Sequence, residues 1–304
     1  CPPRCECRRD TVSLAHFQSN ADLFSVSLMD NLGLRSVNLK LDLEDPSRIE
    51  HFHPTGKSVQ IIRAILGLEA DRAFISTAAY GSGKSLASLF SALCLENRPE
   101  TQAILGQIGH RLTQVDAEAG DFVARRIQSR QQGLVLAFEG FSQDLLGDLR
   151  QAIHEGFARL GKSVSSRRLG NLRSLDSILR FAAAECQAQN LDRIALVWDE
   201  FGRHLEGLIS SGQAGELARL QQLAETITRL EIPATLTLLL HQHFFQYAGS
   251  LNHSARSEWR KIEGRFQAIQ YVDDSREMTE LIAAFLQALR GEDIFAFSAL
   301  SMAM

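Results

Sequence analysis

No apolar run in the chain approaches the ~20 residues a helix needs to cross a bilayer, and no secretory leader pattern is present. The longest apolar stretch, Leu236–Leu240, reads as a buried strand, and no membrane partner is expected. An excess of one charge is missing too. Lys and Arg number 32 against 36 Asp and Glu, so the net charge is −4 and any contact with nucleic acid has to be local. Cysteine is sparse and odd in number, five in all, and Cys94 and Cys186 fall inside predicted helices. That usage argues against a disulfide framework and for reduced thiols in a cytoplasmic setting. Cys1, Cys5 and Cys7 cluster at the start, but Cys-x3-Cys-x-Cys lacks the paired spacing of a zinc site, so a disordered terminus is expected there. The chain opens on Cys1 rather than Met and closes on Met304 in an apolar tail, which leads us to expect a piece of a longer protein.

What is present is an ordinary globular composition, 45% hydrophobic and 22% charged, enough for a sizeable core in a 304-residue chain. The rest is organised around Phe74–Ser85. A short run of strand formers (Ala73, Phe74, Ile75) breaks into a small-residue loop, Ala79, Tyr80, Gly81, Ser82, Gly83, and Lys84-Ser85 then opens a helical pattern with Leu86, Leu89, Phe90 and Leu93. Strand, glycine loop and helix in that order make a phosphate cradle. Gly81 and Gly83 let successive N–H groups turn inward, the helix start and Lys84 add positive charge, and Ser85 offers a hydroxyl to Mg2+. We take residues 79–86 as nucleotide-binding. The full pattern calls for glycine where Ala78 stands.

Around this centre, Val37–Leu41 alternates like an exposed strand, and Asp42–Pro54 reads as an acidic linker. His53–Thr55 is either an adenine contact or a capping turn for the helix that follows. Helices are expected over residues 101–132, 144–160 and 175–188, with a buried strand at Leu134–Phe138. Lys162–Arg173, basic and rich in small residues, reads as a flexible loop, with a nucleic-acid or partner contact as the alternative. The second anchor is Arg193–Glu200, four apolar residues and Trp198 feeding Asp199 and Glu200 at a strand's carboxyl end, where open α/β sheets place ligands. Asp199 is expected to serve Mg2+ and Glu200 to polarise the attacking water. Leu236–Leu240 closes on His241, Gln242 and His243, which compete for a contact to the γ-phosphate or the water. Gln242 is favoured, and a metal site there is disfavoured. A last strand is expected over Ala268–Val272, followed by a helix from Glu277 to Arg290.

This order, with an extra strand between the P-loop strand and the acidic strand, resembles the AAA+ ATPases from about Pro54 to Val272. The resemblance implies an α/β P-loop NTPase three-layer sandwich with a parallel sheet (AAA+/ASCE-like), an N-terminal extension over 1–50, a core over 51–272 and the start of a helical lid over 273–304. It places Lys84 and Ser85 at the Walker A pair, Asp199 and Glu200 at the Walker B pair, and Gln242 at the first sensor. Arg265 in Glu-Gly-Arg-Phe stands where an arginine reaches the neighbouring subunit's nucleotide, with Arg260 as the alternative. Implied cofactors are ATP and Mg2+, and the implied partner is a second copy in an oligomer or larger complex, with nucleic acid left open. Tyr-Gly-Ser-Gly-Lys-Ser with Asp-Glu-Phe-Gly (Asp199–Gly202) also resembles large bacterial phage-defence and restriction ATPases. The expected activity is Mg-dependent ATP hydrolysis driving remodelling or nucleic-acid and defence work. The alternative is an ATP-gated assembly switch with little turnover, and a small-molecule kinase is disfavoured.

Overall fold

The computed structural model describes residues 37–79, 81–211, 216–247 and 261–270. The cysteine cluster, Tyr80, Arg260, most of the expected N-terminal extension and the expected lid helix lie outside them. Five strands pair side by side: Ala73–Thr77 (β1), Gln132–Glu139 (β2), Leu191–Asp199 (β3), Ala234–Leu240 (β4) and Gln267–Gln270 (β5). Their order is β2-β3-β4-β1-β5, and every pairing is parallel. The expected α/β architecture with a parallel sheet is what forms, and β4 sits between the P-loop strand and the acidic strand.

Alternation along the strands divides the core. One face carries Leu134, Leu136, Phe138, Leu196, Trp198, Leu236, Leu238 and Leu240 in a single buried cluster. The helices Leu145–Arg159, Leu175–Ala188 and Leu217–Arg229 supply its other side. The opposite parity, with Val135, Ala195, Val197 and Leu239, is buried under the helices Gly56–Leu66 and Lys84–Glu96. Counting in chain order, the described helices are α1 (Leu39–Asp42), α2 (Gly56–Leu66), α3 (Lys84–Glu96), α4 (Gln102–Val115), α5 (Ala117–Ser129), α6 (Leu145–Arg159), α7 (Ser166–Asn171), α8 (Leu175–Ala188), α9 (Phe201–Ser210), α10 (Leu217–Arg229) and α11 (Phe244–Tyr247).

Three expectations are corrected. Val37–Leu41 is not a strand: Leu39–Asp42 is helical, because Asn38 accepts from the Leu41 N–H while its own N–H donates to Asp42 Oδ2, both at 2.9 Å. The following segment is not a solvated linker either. Leu43 and Ile49 are fully buried, and Arg98 donates to the Leu43 carbonyl. The basic stretch Lys162–Arg173 contains a helix where a loop was expected. Ser165 caps α7, Leu169 is buried, and Arg168 pairs with Glu185 at 3.1 Å while lying over the Phe181 ring. The turn before α2 is a capping box in which Thr55 and Ser58 hold each other's backbone N–H, which accounts for that turn without a ligand.

Helix α3 is clamped where it ends. Arg126 donates to the carbonyls of Cys94 and Leu95, the Asn97 amide donates to the carbonyls of Arg126 and Gln131, and Asn97 itself turns left-handed at φ 42°. A cation at the helix C-terminus thus meets carbonyls that the helix cannot satisfy itself. Arg126 is in turn paired with Asp192, and the fully buried Glu96 with Arg159 at 2.7 Å.

Behind the end of β3 stands an aromatic wall. Trp198 is fully buried, donates from Nε1 to the Gly140 carbonyl at 2.9 Å, and packs against Phe138, Phe201 and His204 at centroid distances of 5.1, 5.0 and 4.5 Å. His204 Nδ1 accepts from the Ser142 N–H, and burial pushes its pKa down to about 4, so the ring is neutral at pH 7. The folded value lies below the unfolded one near 6.5. As pH falls, the unfolded chain takes the proton first, and stability is lost from about pH 6.5 downward, levelling off below the folded pKa. Between pH 7 and 4.5, wild type is expected to lose about 2 kcal/mol more than His204→Gln in urea unfolding. Equal losses in the two proteins would refute the burial account.

Candidate functional site

The loop between β1 and α3 takes its shape from two left-handed residues, Gly81 at φ 74° and Gly83 at φ 89°, the latter capping α3. Ala78, where the motif asks for glycine, is not among the residues with positive φ. Its N–H donates to the Leu240 carbonyl at 3.2 Å, so this position needs no conformation that a Cβ forbids. Lys84 is 4% exposed, and its ammonium donates to the carbonyls of Ala78 and Ala79, at 2.5 and 2.8 Å, and to Ser82 Oγ at 3.3 Å. Burial pushes its pKa down to about 8, against the pull of Asp199.

Asp199 comes to this loop from the other side of β4. By strand alternation it points away from the Trp198 face and toward α3, where it meets the Ser85 hydroxyl. It is 2% exposed. Burial pushes its carboxyl up, while the Ser85 hydrogen bond, the Glu200 N–H at 2.8 Å and the Lys84 charge hold it down. The cation, the hydroxyl and the carboxylate, two on one chain segment and one on another, are therefore neighbours at the carboxyl edge of the sheet.

Glu200 sits at the start of α9 in a left-handed conformation, φ 49° and ψ 35°, and its carboxylate pairs with Arg203 at 2.9 Å. Glu139, opposite Asp199 in the β2–β3 register, completes an acidic edge. Burial raises its pKa first, the Glu200 and Asp199 charges raise it further, and Arg203 opposes them. Nothing in the sequence reading singled out Glu139 or Arg203. The one available signal was that the strand Leu134–Phe138 also runs into an acid, at Glu139.

At the tip of β4 the polar groups part ways. His241 follows Thr237 and Leu239 in alternation, on the side of α3, and burial, then Lys84, then Arg203 push its pKa down to about 4. Gln242, the favoured candidate, lies beside the Tyr247 hydroxyl. His243 N–H donates to the Gln246 side chain. Arg265 precedes β5, is half exposed, and pairs with Glu225 at 3.4 Å, so it lies at the amino edge of the sheet, away from this chain's own loop.

Hard oxygen donors suit a magnesium-type cation that keeps much of its water and is carried in on phosphates. The Ser85 hydroxyl and the Asp199 carboxylate, already joined, are such donors. Among the described residues no group of three His, Cys, Asp or Glu could hold a metal by itself.

No protein-family model matches the chain, and no curated protein matches it. Two solved structures of the ORC2 protein of Aeropyrum pernix are similar to it, each at 14% identity. The ADPNP-ADP complexes give a TM-score of 0.43 over 77% of this chain and 53% of that one. The ADP form gives 0.38 over 75% and 49%. The chain thus spans about half the length of these structures.

The left-handed Glu200 generates a test. A side chain in that region costs about 1 kcal/mol that glycine does not incur. Glu200→Gly is therefore expected to be more stable than Glu200→Ala by about 1 kcal/mol in denaturant midpoint. Equal midpoints would show that the turn is unstrained.

Proposed function

We propose that the chain is the core of an AAA+-type ATPase. The observation that carries this reading is the meeting of Lys84, Ser85 and Asp199 across β4, with Glu200 beside them, at the carboxyl edge of a parallel sheet. The substrate is ATP, taken by residues 79–86, where the left-handed Gly81 and Gly83 and the start of α3 suit a polyphosphate. Lys84 gives up its loop carbonyls for phosphate oxygens. Ser85 and Asp199 hold Mg2+, which supplies charge neutralisation at the phosphates. Glu200 leaves Arg203 to accept the proton of the water that attacks the γ-phosphate in line. His241, neutral and beside Lys84, takes the sensor role expected of Gln242, offering a ring N–H to the γ-phosphate or the water. Arg265 acts on the nucleotide of a second copy, which makes self-assembly part of the reading.

The setting proposed is cytoplasmic. It is supported by the buried free thiols of Cys94 and Cys186, and no helix among the described residues is long and apolar enough to cross a membrane. The finer proposal, that the module works in a bacterial defence or restriction complex on nucleic acid, rests on the wording of the two motifs alone. The second reading, an ATP-gated switch with little turnover, is favoured by one feature: the Glu200–Arg203 ion pair engages the proposed base at 2.9 Å.

Phosphate release separates the two. Glu200→Gln is expected to lower turnover at least 100-fold while ATP still binds, and Lys84→Ala to lose binding itself. Wild-type protein that binds ATP, changes oligomer size and releases no phosphate would establish the switch and remove the hydrolase.

A further inference from the structure

At the amino edge of the sheet, the end of α5 and the starts of β2 and β3 border a cavity of about 430 Å3. Three arginines line it, Arg125, Arg126 and Arg193, around the ring of Phe122, with Gln128 and Gln131 at its side. The Arg193 guanidinium lies 4.9 Å from the centroid of that ring and the Arg126 guanidinium 5.7 Å from it. Gly133 makes room for this pair. A Cβ there would lie 2.8 Å from Arg193 Cγ and 3.4 Å from Arg126 Nη2, so a side chain at 133 would displace Arg193. No acid lines the cavity. Among the described residues one carboxylate pairs with these arginines. It is Asp192, divided between Arg126 at 2.7 Å and Arg193 at 3.1 Å. Three guanidiniums against one carboxylate leave an excess of positive charge.

Part of this charge has structural work. Arg126 caps α3, and Arg193 donates to the Leu66 carbonyl at the end of α2. The remainder does not. Arg193 Nη2 meets no acceptor among the described residues, and Arg125, which is exposed, makes no hydrogen bond or ion pair among them. The end of α5 would by itself repel an anion, but its carbonyls are engaged. Arg126 O receives the Asn97 amide and the Ser129 hydroxyl, and Ile127 O receives the Arg130 N–H. Guanidiniums with donors to spare around a phenyl ring suit a carboxylate, which takes two N–H groups at once, on a chain with an apolar side chain to lay against the ring. The cations are gathered in one cavity rather than drawn out along a track, Asp121 stands one turn before Arg125, and the chain's net charge is −4. A peptide is thereby favoured over a nucleic-acid backbone. We infer that this cavity docks an acidic peptide segment of a protein partner, its carboxylates on Arg125 and Arg193 and an apolar side chain on Phe122. The nine residues of β3, at about 3.3 Å each, separate this cavity from Asp199 and the glycine loop, so both sites can be filled together.

Fluorescence anisotropy on the full chain tests the docking. The probe is a fluorescein-labelled peptide of Glu residues around a single Phe, compared with the same peptide carrying Gln for Glu and with a thymidine oligonucleotide. Wild type is expected to bind the Glu peptide and not the Gln peptide. Arg125→Glu, at an exposed position, should weaken binding about tenfold, and Arg125→Lys, which keeps the charge but not the fork, should fall between the two. Replacing the peptide's Phe by Ala should weaken it about threefold. Lys84→Ala should bind the peptide as wild type does, because the glycine loop is at the other edge. Absence of binding, equal binding of the Glu and Gln peptides, or wild-type affinity in Arg125→Glu would overturn the inference. So would a peptide indifferent to loss of its Phe, or loss of binding in Lys84→Ala. Tighter binding of the oligonucleotide than of the peptide, lost in Arg125→Glu, would assign the cavity to nucleic acid instead. Failure of the chain to bind ATP would sink the ATPase reading and leave the peptide result standing.

Discussion

A carboxylate that is almost wholly out of water, Asp199, is the constraint around which the carboxyl edge of the sheet is arranged. A buried charge persists only where hydrogen bonds and an opposite charge compensate its lost hydration. Here the Ser85 hydroxyl, the Glu200 N–H and the Lys84 ammonium provide this. The compensation is partial in both directions, since burial raises the acid and lowers the lysine. A polyanion and a divalent cation, the ligands proposed for this site, would each favour the charged form of the group they meet. Everything else near the site follows from putting that carboxylate on the α3 side of the sheet. Trp198 must then face the other side, where its wall of rings fixes the end of β3, and Phe201 on the far side of Glu200 anchors the corner again.

The other end of the cradle is held just as firmly. Helix α3 carries Lys84 and Ser85 at its start and is pinned at its finish by Arg126 on the carbonyls of Cys94 and Leu95. Arg126 is oriented by Asp192, on the first turn of the strand that delivers Asp199. The two chain segments that meet at the site are therefore joined at both ends, once by Ser85 with Asp199 and once by Arg126 with Asp192. A rigid frame of this kind is what positions donors before a ligand arrives.

Much of this was legible in the residues. Gly81 and Gly83 announce themselves as glycines in a loop and take left-handed conformations, Lys84 and Ser85 open the helix that follows, and Asp199 and Glu200 stand out as acids ending an apolar run. Burial on both faces made β2, β3 and β4 visible as continuous apolar stretches. What stayed hidden depends on contacts between distant segments. Val37–Leu41 reads as alternating until the Asn38 side chain is seen to accept from the Leu41 N–H and Asp42 from the Asn38 N–H, a four-residue helix held by its ends. Glu139 matters only through its register with Asp199, and no pattern within one strand discloses a neighbour. Which of His241 and Gln242 lies on the α3 side is a question of parity, and parity has meaning only once the register Val197–Thr237 shows which side of β4 faces α3. Gly202 looked like part of a motif, whereas in the fold it is the space that Tyr247 occupies.

Arg265 shows how far geometry takes the assembly part of the proposal. It stands just before β5, and β5 runs parallel to β1, so the arginine lies at the amino edge while the glycine loop lies at the carboxyl edge. A strand advances about 3.3 Å per residue, which puts the two ends of β1 farther apart than an arginine side chain can span. Arg265 has no route to the phosphates of its own chain. Its pairing with Glu225 is a solvent-exposed contact at 3.4 Å, and such pairs contribute at most about 1 kcal/mol. A polyphosphate outcompetes a single exposed carboxylate for a guanidinium, because it offers more charge and a bidentate partner. If this residue meets a nucleotide at all, that nucleotide belongs to another molecule, and the proposed role of Arg265 and the proposed self-assembly stand or fall together.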